Sequence, residues 1–544
     1  MPWLHEDLTG VFKPVRSALI YLLFALGITF SPGCKNPDQQ ADYIIFNGRI
    51  VDGTGNSWYY GDIAVRHGKI VAVGKLSDMP AAKRIDAQHK IVAPGFIDVH
   101  GHIESSIFTR PTADNYIYDG VTTIITGNCG GSAENIARFF EQIDSMHTSV
   151  NIAALIGHNT IRKMAMGLDN RPATPAEQKK MEDFAKQAMK DGAVGMSTGL
   201  IYLPGMYSNT SEVAGIAKSV ASYNGIYASH IRNEENSVKD AINEAITIGA
   251  LANIPVQLSH FKISGRANWG RSRETLPMID SARRAGIDVT IDQYPYTASS
   301  TNLGVRLPDW ALSGGTDSLN KRIDDPASHK KIVEGMLELQ QKYGYPDYSY
   351  AVVAMHKADT TLNGKSISAI NQLKNRKPTM SDEAETILDM MKAGGAQMIY
   401  HSMNEEDVSS IIQYPFCMIG ADAGVSDGTG MPHPRTYGTN ARVLAKYVRE
   451  QKLVSLEEAI RRMTSLAAQK FQLKNRGLLR EGYAADIVIF DEKEISDRST
   501  FEAPHQFSEG FLLVMVNGQV VLENKRHTGL KSGMPLYGPS SEKK

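Results

Sequence analysis

Pro94-Gly95-Phe96-Ile97-Asp98-Val99-His100-Gly101-His102 is a short apolar stretch entered through Pro-Gly and left through two histidines around one glycine. If residues 96–99 form a strand, alternation along the extended backbone lets both imidazoles face the same side. The unit that starts here, a short apolar strand ending in polar residues and then a segment rich in Ala, Glu and Lys, recurs as far as about Phe471. Strands are read at residues 96–99, 121–126, 151–156, 193–196, 225–228, 255–258, 287–291 and 416–420. Eight parallel strands alternating with helices predict an α/β fold, a (β/α)8 TIM-like barrel. The seventh and eighth strands lie more than 120 residues apart, so an inserted lid subdomain is expected over about 295–350. Its Gly- and Asp-rich part, 312–325, suits a mobile surface region.

Outside the barrel the texture changes. Residues 43–51 and 62–73 alternate apolar and polar side chains between Gly and Asn turn signals, and the same texture returns at 485–490 and 511–521. The two chain ends therefore build one small β-sandwich domain, with the barrel inserted between them. The expected bounds are 1–34 for a leader, 41–94 and 477–530 for the β domain, and 95–476 for the barrel.

A chain of 544 residues, 42% hydrophobic and 22% charged, is ordinary globular material. Fifty-eight basic against fifty-nine acidic side chains leave a net charge of -1, so no summed field favours nucleic acid or an anionic membrane surface. Residues 1–34 carry Lys13 and Arg16, an apolar run from Ala18 to Phe30, and then Ser31-Pro32-Gly33-Cys34. That order of positive, hydrophobic and processing regions reads as an export signal whose run is too short to span a bilayer. Its end resembles a bacterial lipobox, which implies lipidation at Cys34, a membrane link only through that anchor, and a place in the periplasm or outer cell envelope. A plain cleavage site nearby is the alternative. Only Cys129 and Cys417 remain in the body, which excludes a disulfide framework and leaves open one Cys129–Cys417 bridge that would compete with metal binding.

A barrel gathers the loops after its strands around one opening. The first strand is followed by His100 and His102, the second by Gly127-Asn128-Cys129-Gly130, the fifth by His230, the sixth by His260 and the eighth by Asp422. Imidazole and thiolate suit zinc, and a carboxylate can bind metal or hold a proton. One histidine after a strand is usually an ordinary packed or surface residue; six such groups at the same end of different strands point to a metal centre. Lys262, Tyr294 and Arg435 fall in loops expected at the barrel mouth, where a lone Arg or Lys is usually solvated. His158, Asp292 and His401 stand outside the metal set: His158 ends the third strand and is expected to support the site or the fold, Asp292 could orient a ligand histidine, and the segment of His401 could belong to the long insertion.

The stretch 94–102 together with Asp422 resembles the signature of the amidohydrolase superfamily. Many members carry a carboxylated lysine after the fourth strand; here that place reads Gly195-Met196-Ser197-Thr198-Gly199. Cys129 instead matches the thiolate ligand of the D-aminoacylase branch, the N-acyl-D-amino-acid deacylases. The resemblance runs from about Ala41 to Glu523 and includes Ser229-His230-Ile231-Arg232-Asn233-Glu234, Leu258-Ser259-His260-Phe261-Lys262 and His433-Pro434-Arg435. It implies one tight zinc held by Cys129, His230 and His260, and a second, weaker position formed by His100, His102 and Asp422. It further implies Asp422 as the proton carrier in hydrolysis of a small N-acylated D-amino acid, and Lys262, Tyr294 and Arg435 as the residues that hold its carboxylate, with Tyr202 a weaker candidate for the same pocket. Hydrolysis of D-residue dipeptides or cyclic amides, and ligand binding without turnover, are the rival readings; the sequence leaves the oligomeric state open.

Overall fold

The computed structural model describes residues 40–541, so the leader and Cys34 lie outside the described residues. Eight parallel strands run Phe96–Asp98, Val121–Thr126, Asn151–Gly157, Gly195–Gly199, Ile226–His230, Val256–Leu258, Val289–Gln293 and Cys417–Ile419, neighbours in sequence being neighbours in the sheet. Every residue of these strands is buried, as both faces of a helix-covered parallel sheet must be. Period-two alternation sorts the side chains. Ile97, Val99, Ile125, Ala153, Leu155, Val194, Ile226, Ala228 and Met418 form one apolar cluster, closed by Leu466, Phe471 and Leu473. Their strand neighbours, among them Ile124, Ile152, Met196, Val256 and Ile291, join the larger core.

The helices carry their own punctuation. Pro175–Asp191 starts with a capping box between Thr174 and Glu177 and with Pro175 in its first turn, and it stops at Gly192 in the left-handed region (φ 113°).

The first and eighth strands meet only at the end where the site lies. The Ala423 carbonyl accepts from His102 N at 2.8 Å, and His100 O accepts from Asp422 N at 2.8 Å. The Asp98 carboxylate stitches the same seam, accepting from His100 N at 2.9 Å and from Ala421 N at 3.0 Å. Closing the barrel is thus the same event as placing His100 and His102 beside Asp422.

Both chain ends contribute to one nine-stranded sheet, in which Ile91–Pro94 pairs antiparallel with Ile487–Phe490. Its core joins Ile45, Ile63 and Val65 to Ile487, Leu513 and Met515. The chain beyond that sheet returns to the barrel, where Gly533 bridges to Thr148 and Pro535 to Ile152.

The insertion is larger than expected from sequence. It is built on a three-stranded antiparallel sheet of Ser299–Asn302, Gln397–Tyr400 and Ala351–Met355, so residues 351–400 belong to it as well as the expected 295–350. It has its own core, around Leu303, Ile332, Met336, Tyr350, Ile387 and Tyr400. The stretch 312–325 contains a helix, Thr316–Asp324, anchored by buried Leu319 and Ile323. Cys129 and Cys417 are both free, and the Cys417 thiol donates to the Met418 carbonyl within the barrel wall.

Candidate metal centre

Three of the expected ligands sit on left-handed backbone: Cys129 at φ 52°, His260 at 36° and Asp422 at 51°. Few non-glycine residues adopt that region, and those that do concentrate where a side chain must be aimed. The Cys129 turn is seated by its neighbours. A Cβ at Gly199 would lie 2.1 Å from the Cys129 carbonyl, and one at Gly130 would lie 2.0 Å from Asn159 Oδ1. Asn159 in turn donates to the Gly199 carbonyl at 3.0 Å and accepts from Gly199 N at 3.2 Å. The glycine that ends the fourth strand therefore makes room for the cysteine loop, where a lysine would collide with it.

The sulfur lies 3.3 Å from His100 Nε2 and 3.4 Å from His260 Nε2. Asp422 Oδ1 lies 3.1 Å from His102 Nε2 and 3.7 Å from His100 Nε2. Donor atoms of Cys129, His230 and His260 all fall within 4.8 Å of one another, and so do those of His100, His102, Cys129 and Asp422. Cys129 is common to the two groups, a bridging place that the sequence reading assigned to the first group alone.

The donor chemistry fits a cation. Both ring nitrogens of His230 are buried without a hydrogen-bond partner, a cost that a ligand would remove. Burial holds His230 and His260 well below the ordinary histidine range, so both are neutral, the form a metal takes. Burial, with Asp422 adding to it, pushes the Cys129 thiol well above its ordinary range.

Around the ligands stands a ring of fixed polar groups. Asp292 accepts from the His260 backbone N–H at 2.8 Å and lies 3.3 Å from His100 Nδ1, so it fixes the backbone of one histidine and the ring of the other. Glu234 lies 3.0 Å from His260 Nδ1 and accepts from Lys262 Nζ at 2.6 Å. Glu104 accepts from Thr126 Oγ1 at 2.6 Å and Gly127 N at 2.5 Å, bracing the cysteine turn from the loop of the two first-strand histidines. Sequence reading gave Glu234, Glu104 and Asp98 no role. For Asp98 a signal existed, since it shares the two-residue phase of His100 and His102.

Lys262, Tyr294 and Arg435 come together as expected, all nearly fully buried. The Arg435 guanidinium lies 4.4 Å from the centre of the Tyr294 ring, and Lys262 Nζ lies 5.6 Å from it. Arg435 Nη2 pairs with Asp422 Oδ2 at 2.9 Å, while its Nη1 is buried and unpartnered. Burial would raise the Asp422 carboxyl, but Arg435, His260 and the His102 contact outweigh it and hold the group well below the usual carboxylate range. The Tyr202 hydroxyl meets Thr301 Oγ1 at 2.9 Å, and its ring packs edge-on against His230. His158 is not in the pocket: it is fully buried, 3.0 Å from Glu212. His401 packs against Phe501, away from the ligands.

A closed parallel barrel whose strand ends converge imidazole, thiolate and carboxylate donors beside a buried cationic clamp defines a metal-dependent barrel hydrolase. The sequence pattern of the Amidohydrolase family matches residues 83–260 and 418–522. D-aminoacylase of Alcaligenes xylosoxydans xylosoxydans is 33% identical over 525 residues, covering 92% of this chain and 99% of that one. N-acyl-D-glutamate deacylase of the same organism is 34% identical, with 89% and 94% covered. The crystal structure of N-acyl-D-glutamate deacylase from Bordetella bronchiseptica, complexed with zinc and a phosphonate inhibitor, matches with a TM-score of 0.79 at 34% identity, covering 92% of this chain and 100% of that one. The chain belongs to the amidohydrolase family, in its branch of D-aminoacylases and N-acyl-D-amino-acid deacylases.

Proposed function

We propose that this protein hydrolyses N-acyl-D-amino acids to the D-amino acid and a carboxylate, with zinc held by Cys129, His230 and His260. The observation that carries this reading is the meeting of that donor group, Asp422 and the Lys262–Tyr294–Arg435 clamp at one end of the barrel. Bound zinc would supply Lewis acidity, polarising a carbonyl and lowering the pKa of water from its bulk value to about 7. Asp422, ionised and facing both histidine pairs, takes the proton of the attacking water and returns it to the departing nitrogen. One C–N bond breaks, one C–O bond forms, and the products leave as carboxylate and ammonium.

Lys262 and Arg435 hold the substrate carboxylate. Arg435 Nη1 is free for it, and a planar guanidinium can grip a carboxylate through two parallel hydrogen bonds. The unpartnered Arg435 Nη1 favours an anionic acceptor, which a neutral amide or cyclic amide does not bring. D-selectivity in this reading rests on the similarity to the deacylases.

The test is to quantify metal in the purified protein and to follow amino-acid release from N-acetyl-D-methionine, N-acetyl-D-glutamate and N-acetyl-L-methionine. Zinc with release from a D-substrate alone supports the proposal. Zinc with all three substrates untouched overturns the substrate class.

A further inference from the structure

Two chambers open from the ligand cluster, and the first is lined by more charged side chains than the second. The first, of about 610 Å³, is lined by His230, His260, Lys262 and Tyr294 near the ligands, by Arg232 of the fifth-strand loop and by Arg306 of the insertion. The second, of about 460 Å³, is lined by His102, Cys129, Ala354, Gln397, Pro432 and Arg435. Tyr202, Ser300, Thr301, Asn302 and Asp422 wall both. The hydrogen bond from the loop after the fourth barrel strand to the first strand of the insertion, Tyr202 to Thr301, thus lies in the partition.

We propose, resting on the N-acyl-amino-acid reading, that the second chamber is the acyl subsite and that its walls set which acyl chains the enzyme accepts. A substrate of this class divides at its amide. The nitrogen half carries a carboxylate, and the carbonyl half is an uncharged chain. Asp422 must reach both the attacking water and the nitrogen, and it is a wall common to the two chambers, so the amide lies at their junction and each half enters one of them.

The clamp decides which half goes where, because Lys262 and Tyr294 line the first chamber and not the second. The first chamber holds Lys262, Glu234, Glu235, Arg232, Arg306 and Asp309. Lys262 pairs with Glu234 at 2.6 Å and Arg306 with Glu235 at 3.1 Å, and the free donor capacity of Lys262 beside Tyr294 is what a substrate carboxylate would use. In the second chamber the ionised side chains are Asp422 and Arg435, already paired with each other, and His433 is neutral. His433 Nε2 donates to the Ala298 carbonyl at 2.9 Å, while its Nδ1 accepts from Arg435 N at 3.0 Å. Those pairs stay intact when an uncharged chain displaces water, and the unpartnered Arg435 Nη1 is assigned to the substrate carboxylate. Arg435 stands at the boundary, its guanidinium stacked on Tyr294 of the first chamber, so it can reach a carboxylate there. At about 30 Å³ per atom-sized unit, the second chamber takes on the order of ten non-hydrogen atoms, far more than an acetyl group needs.

The experiment compares N-acetyl and N-octanoyl forms of D-methionine and D-glutamate on the zinc-loaded enzyme and on two variants. Gln397 lines the second chamber alone and is exposed, donating to Ser300 Oγ at 3.0 Å, so Gln397→Trp narrows that chamber from its wall. Leu339 lines the first alone and is 37% exposed, so Leu339→Trp is the matched control. Wild-type enzyme should cleave both acyl lengths. Gln397→Trp should lower kcat/KM for the octanoyl form more than ~10-fold and leave the acetyl form within ~2-fold, while Leu339→Trp leaves the octanoyl-to-acetyl ratio unchanged. Wild-type cleavage of acetyl but not octanoyl substrates overturns the proposal, as does an equal effect of Gln397→Trp on both or a ratio that follows Leu339→Trp. If neither acyl form of either amino acid is cleaved, the deacylase reading itself has failed.

Discussion

Glu234 Oε1 stands 3.0 Å from His260 Nδ1 and 2.6 Å from Lys262 Nζ, so one carboxylate joins a proposed zinc ligand to a proposed carboxylate-binding residue. Lys262 Nζ is also 2.7 Å from His260 Nδ1. When His260 Nε2 faces a metal, Nδ1 carries the proton and donates to Glu234, and the ammonium must then turn its third donor elsewhere. The nearest use is the substrate carboxylate. Glu234→Gln is expected to weaken zinc binding by about 10–100-fold, measured by competition against a chelating dye, and to raise KM. Unchanged zinc affinity would remove Glu234 from the site.

Asp422→Asn keeps the shape of the side chain and its place against Arg435 but cannot accept a proton. Turnover should fall by about 10²–10⁴-fold. Zinc content and the unfolding transition should stay close to wild type, because Cys129, His230 and His260 are untouched. A variant that binds substrate and still turns over at the wild-type rate would assign the proton transfer elsewhere.

The protonation states of the first ligand group give a pH dependence of known sign. His230 and His260 are held neutral by burial, and burial holds the Cys129 thiol protonated. Zinc requires a thiolate, so binding releases about one proton per ion, and affinity rises about tenfold for each pH unit gained below the pKa of the thiol. Calorimetry of zinc binding to the metal-free protein in buffers of different ionisation enthalpy counts that proton. A count near zero would mean the thiol is already ionised.

The clustering of the donor residues was legible because each sits at or just after the end of an apolar strand, and strand ends in a barrel converge whatever their separation in sequence. The second half of the insertion was not. Residues 351–400 repeat the strand-and-helix texture of the barrel, with Ala351–Met355, Met380–Lys392 and Gln397–Tyr400, and what sets them apart is antiparallel pairing to Ser299–Asn302, a long-range fact. Glu234 was hidden for the opposite reason. A glutamate four residues after His230 reads as a solvated loop charge, and only the sixth-strand loop, folded against it, makes it a buried partner.

The loop of the fourth strand depends on a second buried carboxylate, outside the site. Glu212 Oε1 lies 2.9 Å from Arg162 Nε and 3.0 Å from His158 Nε2. Arg162 is completely buried, and its other nitrogens donate to the carbonyls of Pro204 at 3.2 Å and Arg171 at 2.8 Å. Burial works to raise the Glu212 carboxyl, but His158 and Arg162 outweigh it and the group is held low. Folded below its ordinary pKa, it contributes stability that is present above the unfolded value and lost as the pH falls through the folded one. Glu212→Ala removes the anion and leaves a buried guanidinium without a counter-charge, at a cost of about 3–5 kcal/mol in chemical unfolding at neutral pH. Glu212→Gln keeps an acceptor for Arg162 and should lose less. Because the ligands themselves are not displaced, zinc stoichiometry in the folded fraction should not change; loss of zinc together with stability would mean that this pair also supports the Gly199–Cys129 contact.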